Sequence, residues 1–299
     1  MCLKTETLKR VSAIVFLMTA FQVFNLSAQG SVQWELRDAI NKDPIPYLKF
    51  EILPSSKVYS SDKAGNVKVP SYSLNDWDAV LISGYSINDT IIDRESLQVS
   101  ETIFLNTKTY DLPEIIVSSA HYKLIQIGSK EDEIYDSKQP IRAYNTQGSF
   151  RYTAFIDLPR KRDRDLYKLS FLISDVLKES ALVSIRILAS TSNEKLNPGK
   201  NYPINDFVEL AAAPIVEEVK SSGWFTVDFP EGISVPSQFD SIFVVFDLLD
   251  QRDSFFHIPM QKSKSPIELG FYITPGVLGV FHHNLEHPAI VLDLGVADK

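Results

Sequence analysis

The sequence predicts an all-β protein made of two β-sandwich domains, and three observations support this fold class. Residues 31–37 alternate apolar Val32, Trp34 and Leu36 with polar neighbours, which is the period of a half-buried strand. Short apolar segments recur along most of the 299 residues. In the first third of the chain, turn residues separate these segments about every 8–12 positions, and no helical stretch lies between them.

The first domain is predicted over residues 29–118, with about seven strands. Residues 62–65 form a predicted turn, because Gly65 can adopt a positive φ and Asp62 can cap the backbone. In the second strand, Lys49 and Glu51 are out of phase with the apolar residues, so they should lie on the opposite face. The predicted strands are residues 31–37, 45–53, 66–69, 79–83, 86–92, 102–105 and 115–117.

Several motifs occur in a fixed order in this region. They are Pro44-Ile45-Pro46, the Asp62 and Gly65 turn, Ser83-Gly84-Tyr85 and Leu112-Pro113-Glu114-Ile115-Ile116-Val117. Their order resembles the carboxypeptidase regulatory-like domain, a transthyretin-like (Ig-like) β-sandwich common in bacterial envelope proteins. Ser60 and Val67 replace the threonine and the aromatic residue of that family, and the Ser-x-x-Gly-Tyr element is shortened. The resemblance covers about 90 residues and implies a scaffold rather than a catalyst, without the peptidase domain.

Residues 119–148 are predicted to be a linker that could contain one strand. A second all-β domain, jelly-roll-like, is predicted over residues 149–299, and it looks like the partner domain of other envelope proteins that carry the first module. Pro214 interrupts residues 206–220, which favours two short strands over a helix there. The other predicted strands are residues 150–158, 166–173, 182–189, 223–229, 241–249, 255–259, 267–273 and 289–294.

Residues 1–28 have the pattern of a secretory signal peptide. Three basic residues precede the apolar segment 11–24, and Leu26-Ser27-Ala28 is an acceptable cleavage site. Cys2 lies before the apolar segment, so the mature chain is expected to contain no cysteine and no disulfide. No later segment approaches the length of a membrane span. We therefore expect an exported protein that is periplasmic, outer-membrane-associated or extracellular.

The net charge argues against polyanionic partners. The chain has 30 Lys and Arg against 38 Asp and Glu, a formal net charge of −8, without a basic cluster. Nucleic-acid binding depends on neutralising phosphates, and anionic lipid surfaces likewise attract basic segments. The sequence therefore predicts neither of these partners.

One string resembles a zinc signature. His283-Asn284-Leu285-Glu286-His287 spells H-x-x-E-H, in which two histidines on one face of a helix hold zinc beside a glutamate. Pro288 disfavours helical geometry at His287, and the flanking segments 276–281 and 289–294 have strand patterns. The string is therefore predicted to be a solvated hairpin loop, and His283, Glu286 and His287 are only remote candidates for metal ligands.

Other constellations do not add up to a catalytic site. The sequence has no G-x-S-x-G elbow and no Walker loop, and residues 157–165 alternate acids with arginines, which predicts a solvated turn rather than a calcium loop. We expect no catalytic residue and no cofactor. Asp89-Thr90-Ile91 and Asp240-Ser241-Ile242 fit a short O-glycosylation pattern found in some envelope proteins with this module, and Thr90 is the better placed of the two.

The aromatic residues leave two functions open. Trp34, Trp77, Trp224 and the twelve tyrosines could form a platform for sugars, although aromatic residues in strands are more often core. The leading hypothesis is a non-catalytic binding or assembly module that contacts another envelope protein through a sheet edge or loop face. A carbohydrate-binding module is the alternative, and a zinc hydrolase at the His283 string is a remote third.

Overall fold

The computed structural model is all-β, with several antiparallel sheets. It describes residues 30–55, 57–85, 87–108, 122–135, 151–158, 162–174, 180–191, 196, 199–249, 258–262, 266–273, 277–281 and 286–297. Within these ranges the α-helix is the five-residue α1 (Arg94–Gln98), and Ser71–Leu74 and Ile204–Asp206 form 3₁₀ turns. None of the helices described is long and apolar enough to cross a membrane. The predicted fold class is confirmed at the level of an all-β chain.

Two sheets contain the strands between residues 31 and 105, numbered along the chain. In the three-stranded sheet, β1 lies between an antiparallel β4 and a parallel β7. In the four-stranded sheet the order is β3, β2, β5, β6, and all neighbours are antiparallel. The strands are β1 (Ser31–Asp38), β2 (Lys49–Leu53), β3 (Lys57–Ser60), β4 (Asn66–Pro70), β5 (Ala79–Ser83), β6 (Thr90–Asp93) and β7 (Thr102–Leu105).

One hydrophobic cluster is shared by these two sheets. It contains Trp34 from β1, Phe50 from β2 and Ile82 from β5, all buried. Trp34 stacks on Phe50 with ring centroids 5.3 Å apart and meets Trp77 nearly edge-on at 6.4 Å. The period-2 pattern in the second half of β1 is explained by this packing, because Trp34 and Leu36 both enter the cluster, whereas Val32 stays exposed.

The predicted turn at residues 62–65 is confirmed. Asp62 Oδ1 accepts hydrogen bonds from the backbone N–H groups of Ala64 (2.8 Å) and Asn66 (2.9 Å). Gly65 has φ 78°, and a Cβ built there would lie 2.6 Å from the carbonyl oxygen of Leu36. Glycine is needed at this position for both its conformation and the close approach of β1.

The later strands form three further sheets. The largest follows the order β13, β20, β19, β10, β17, β12, β14, with β15 also paired to β12. Its strands are β10 (Arg151–Asp157), β12 (Ala181–Ser190), β13 (Asn201–Pro203), β14 (Phe207–Glu209), β15 (Ile215–Val219), β17 (Ser241–Leu248), β19 (Ile267–Ile273) and β20 (Val277–Phe281). A four-stranded sheet contains β16 (Gly223–Val235), β11 (Arg164–Ile173), β22 (Ile290–Ala297) and β8 (Tyr122–Ile127), and a three-stranded one contains β21 (Glu286–Pro288), β18 (Met260–Lys262) and β9 (Ile134–Tyr135).

The large sheet has two different faces. One face packs on the four-stranded sheet that contains β11. For example, Phe171 of β11 meets Phe246 of β17 edge-on, with ring centroids 4.8 Å apart. The other face carries a smaller apolar cluster around Phe243. Alternation along β12 and β17 places Arg186 and Asp247 on this second face, and both are buried.

Two sequence-based expectations differ from the structure. The described part of the range predicted to be a linker with one strand, residues 122–135, contains two strands that pair with later sheets, β8 with β22 and β9 with β18. The solvated turn predicted at residues 157–165 is wrong for Arg164. Its side chain is fully buried and donates to the carbonyl oxygen of Phe239 at 2.8 Å, because β11 already begins at this residue. The predicted strand 115–117 and the signal peptide lie outside the described residues.

Buried polar contacts join the early sheets to the large later sheet. Lys49 Nζ of β2 lies 2.9 Å from Asp247 Oδ1 of β17, and the side chains are 4% and 3% exposed. The hydroxyl of Tyr85 donates to the carbonyl oxygen of Ala211 at 2.7 Å. The outer face of the four-stranded sheet that contains β2 is therefore covered at Lys49 by the polar part of the large sheet.

Candidate functional site

A groove beside the first half of β1 is the candidate binding site. It has a volume of about 880 Å³, within the range of small-molecule and peptide clefts. One wall is β1 itself and the other is the end of α1 with the segment that leads into β7. The lining residues are Ser31, Val32, Gln33, Trp34, Glu35, Asn66, Leu74, Trp77, Leu97, Gln98, Val99, Ser100, Glu101 and Thr102.

The groove exists because β7 pairs with only part of β1. On the β4 side, β1 is paired from Ser31 to Glu35, whereas on the other side its pairing with β7 starts at Glu35. Residues 98–101 connect the end of α1 to β7. Glu101 contacts β1 where its carbonyl accepts a hydrogen bond from Glu35 N–H at 2.8 Å. Over residues 31–34, no strand in the described part of the chain pairs with this edge.

The backbone directions along β1 follow from two hydrogen bonds. Leu36 N–H donates to the carbonyl of Gly65 on the β4 side (2.8 Å), while Glu35 N–H points the other way to Glu101. Successive residues of a strand direct their N–H and C=O groups to opposite edges. The backbone N–H and C=O of Ser31 and Gln33 therefore point towards the groove.

Buried apolar side chains lie beneath the groove, and its accessible lining is mostly polar. Trp34 is 4% exposed and its indole N–H donates to the carbonyl of Leu97 at 3.3 Å, which fixes the ring below the groove. At the rim Val99 is 86% exposed. Gln33 lies on the outer face of β1 and its amide donates to Asn66 Oδ1 at 3.2 Å. An occupant would meet mostly hydrogen-bonding groups, with apolar contacts at the exposed Val32 and Val99.

The charged residues that line the groove are both acidic. They are Glu35 and Glu101, and the lining residues include no lysine, arginine or histidine. The hydrogen bond from Arg37 lowers the pKa of Glu35 below its usual value, so this carboxyl is ionised at neutral pH. Glu101 is exposed. Because Glu35 is already paired with Arg37, the exposed Glu101 is the residue that favours a cationic side chain at the rim.

A second polar cluster lies where the early sheets meet the large sheet. Arg186 and Glu209 form a buried ion pair, with Arg186 Nε 2.6 Å from Glu209 Oε1. Burial, with a smaller effect of Glu209, raises the pKa of Tyr85 to about 12, and burial together with Arg186 lowers the pKa of Lys108. Shifted pKa values often mark active sites, but ion-pair networks in interfaces produce them too. We interpret this cluster as the contact between the two parts of the chain.

The structure describes only part of the predicted zinc string. His283 lies outside the described residues, and Glu286 and His287 are consecutive residues of β21. The solvated loop predicted for the string is wrong at His287, which is buried in β21. Its Nδ1 donates to the Pro288 carbonyl at 2.9 Å, and burial lowers its pKa. Its Nε2 lies 3.8 Å from Asp132 Oδ2. Among the residues described, no group of three or more His, Cys, Asp or Glu is placed to hold a metal.

The remaining sequence candidates are divided between core and surface. Trp34 and Trp77 are buried, which confirms the core interpretation for both, while Trp224 is half-buried with Lys130 Nζ 5.4 Å from its ring centroid. Thr90 is partly exposed at the start of β6, whereas Ser241 is buried at the start of β17. Thr90 is therefore the more accessible of the two candidate glycosylation sites.

Sequence reasoning did not find the groove. It predicted β1 from its alternation, and alternation shows which side chains are buried but not where a neighbouring strand begins to pair. One signal was present, because residues 31–34 carry neither a charge nor a proline, the usual protection of an open edge. No protein-family model matches the sequence, and no curated protein is significantly similar to it.

Proposed function

We propose that this protein is a non-catalytic binding or assembly module of the bacterial cell envelope, which contacts another envelope protein through the groove beside β1. The observation that carries the proposal is the open edge of β1 over residues 31–34, beside a cavity of about 880 Å³. An exposed strand edge is a ready-made contact for another polypeptide. The proposed location depends on the signal-peptide pattern of residues 1–28.

We also propose a transthyretin-like sandwich followed by a jelly-roll-like one. The first identity is supported by the two sheets of residues 31–105, which share one hydrophobic cluster, together with the order of the sequence motifs. The second is supported by the cluster that the large sheet and the sheet of β11 share. Scaffolds of this kind carry their functions on edges and loops, which agrees with a site on β1.

Site-specific photo-crosslinking in intact cells tests the proposed function. A photoreactive amino acid replaces Gln33 or Val99 at the groove and, as a matched control, Tyr72, which is also exposed but is not among the groove-lining residues. We expect the two groove positions to capture the same envelope protein and Tyr72 not to capture it. Equal capture from all three positions, or none from the groove, would contradict the proposal.

Glycan binding is the second candidate, and the same groove offers one observation in its favour. Amide and hydroxyl groups of Gln33, Asn66 and Ser100 line it and could bind sugar hydroxyls. The buried rings of Trp34 and Trp77 leave little open face for stacking, however, which favours a polypeptide. Retention on a glycan array that is lost in Asn66→Ala would reverse this order.

A further inference from the structure

We infer that the groove takes an extended segment of the partner polypeptide, which adds to the three-stranded sheet as a strand beside residues 31–34 of β1. This inference rests on the proposed function and names the chemistry of the partner segment. It also predicts a side-chain pattern for that segment: alternating apolar and polar residues, with a basic residue among the polar ones.

The main chain of the open edge matches an extended polypeptide. The N–H and C=O groups of Ser31 and Gln33 point into the groove, at the two-residue spacing that an extended backbone presents. β7 pairs with the same edge of β1 from Glu35 onwards. An added strand would therefore pair with residues 31–34 of that edge, before β7 begins. A sugar or a helix does not offer alternating donors and acceptors at this spacing.

Several other sheet edges are protected by charged residues or prolines, whereas residues 31–34 and the adjoining edge strand β7 are not. β4, the opposite edge of the same sheet, carries Lys68 and Pro70. The edge strands of the sheet around β11 carry Asp228 in β16 and Lys123 in β8. Charges and prolines on edges prevent unwanted strand pairing. Residues 31–34 have neither, which fits an edge that is kept for a partner.

An added strand would have two different faces. Along β1, Trp34 points to the core side and Gln33 to the outside. Side chains of neighbouring strands share these faces, so every second residue of the partner segment would lie on the core side, beside the exposed side chain of Val32. The intervening residues would lie outside, near Glu35 and Glu101. Apolar residues suit the first position, and a lysine or arginine suits the second.

Selection of phage-displayed random ten-residue peptides on the purified mature protein tests the inference. We expect selected peptides to show the alternating pattern with a basic residue. Gln33→Pro removes the N–H that points into the groove while the β4 side of the strand is unchanged, so it should weaken binding of a selected peptide about five- to tenfold. Gln33→Ala keeps this N–H, so it should weaken binding less than Gln33→Pro does.

Two further measurements keep the test independent of how well Gln33→Pro folds. The selected peptide is N-methylated at successive residues, and binding should be lost only at alternate positions, those whose N–H faces β1. Glu101→Lys should reduce the preference for a basic peptide over its glutamate-substituted copy. Selection of no peptide, of helical peptides, or of peptides that tolerate methylation everywhere would overturn the inference.

The outcomes also separate this inference from the proposed function. If photo-crosslinking at Gln33 captures an envelope protein while no extended peptide binds, the groove contacts a folded surface and only the inference fails. If neither succeeds and glycans are retained instead, the proposed function fails as well.

Discussion

Replacing Lys49 with methionine should destabilise the protein by about 3–5 kcal/mol. Lys49 Nζ and Asp247 Oδ1 are 2.9 Å apart, and both side chains are almost fully buried. Methionine keeps most of the apolar stem of lysine but removes the charge, so the Asp247 carboxylate would stay buried without its ammonium partner. Breaking a buried ion pair from one side has a cost of about this size.

Urea unfolding followed by tryptophan fluorescence measures the effect. With an m-value of about 3 kcal/mol/M, the midpoint should fall by about 1 to 1.7 M. The double variant Lys49→Met, Asp247→Asn removes both charges and keeps the shape of the aspartate. It should regain about 2 kcal/mol or more of the loss, because no uncompensated charge remains in the interface.

An exposed ion pair in the same chain serves as the control. Lys168 Nζ lies 3.2 Å from Asp228 Oδ1, and the side chains are 41% and 65% exposed. Lys168→Met should cost less than about 1 kcal/mol, because water screens this pair. If Lys49→Met costs no more than Lys168→Met, or if the two changes in the double variant add without coupling, burial of the pair does not link the two parts of the chain as we argue.

Three other predictions follow from single residues. Gly65→Ala should lower the free energy of unfolding in urea by more than about 1 kcal/mol, because φ is 78° and the new Cβ would lie 2.6 Å from the carbonyl oxygen of Leu36. An unfolding midpoint equal to that of the wild type would contradict this. Ultraviolet titration should show a tyrosine with a pKa of about 12 that is absent from Tyr85→Phe. Because an unfolded tyrosine has a pKa of about 10, the stability that the protonated Tyr85 contributes should be lost as the pH rises from about 10 to about 12. Burial lowers the pKa of His287, so stability should fall as pH drops below about 6.5, the unfolded value, and His287→Gln should reduce that fall between pH 7.5 and 5.

Local pattern was enough to predict most strands and turns. The alternation at residues 31–37 led to β1, and the Asp62 and Gly65 pair led to the turn that the structure confirms. These features depend on neighbours in sequence, because strand alternation and turn conformation are local properties. β3 was not predicted, since its four residues, Lys57–Ser60, are too few to show a period.

Long-range contacts were not predictable in the same way. Alternation placed Lys49 on the face of β2 away from the core, and that position suggests solvent. In the structure this face is covered by the large sheet, so Lys49 is buried against a residue almost 200 positions later. Arg164 shows the same limit, since its polar neighbours suggested a solvated turn while Phe239 binds it in the interior. A strand period identifies the two faces but not what covers the second one.

The covered face and the open edge belong to different sheets, and this separation matters for the proposed site. The large sheet covers the four-stranded sheet of β2 at Lys49, whereas the groove lies on the three-stranded sheet of β1, at the edge of that strand. A polar, ion-paired interface fixes relative position more than it adds stability, since each buried charge loses its hydration. The contact can therefore hold the two parts of the chain together while leaving the β1 edge accessible. It follows that Lys49→Met should lower the unfolding midpoint yet leave the affinity of a selected peptide within about twofold, whereas Gln33→Pro should weaken peptide binding with a smaller change in midpoint.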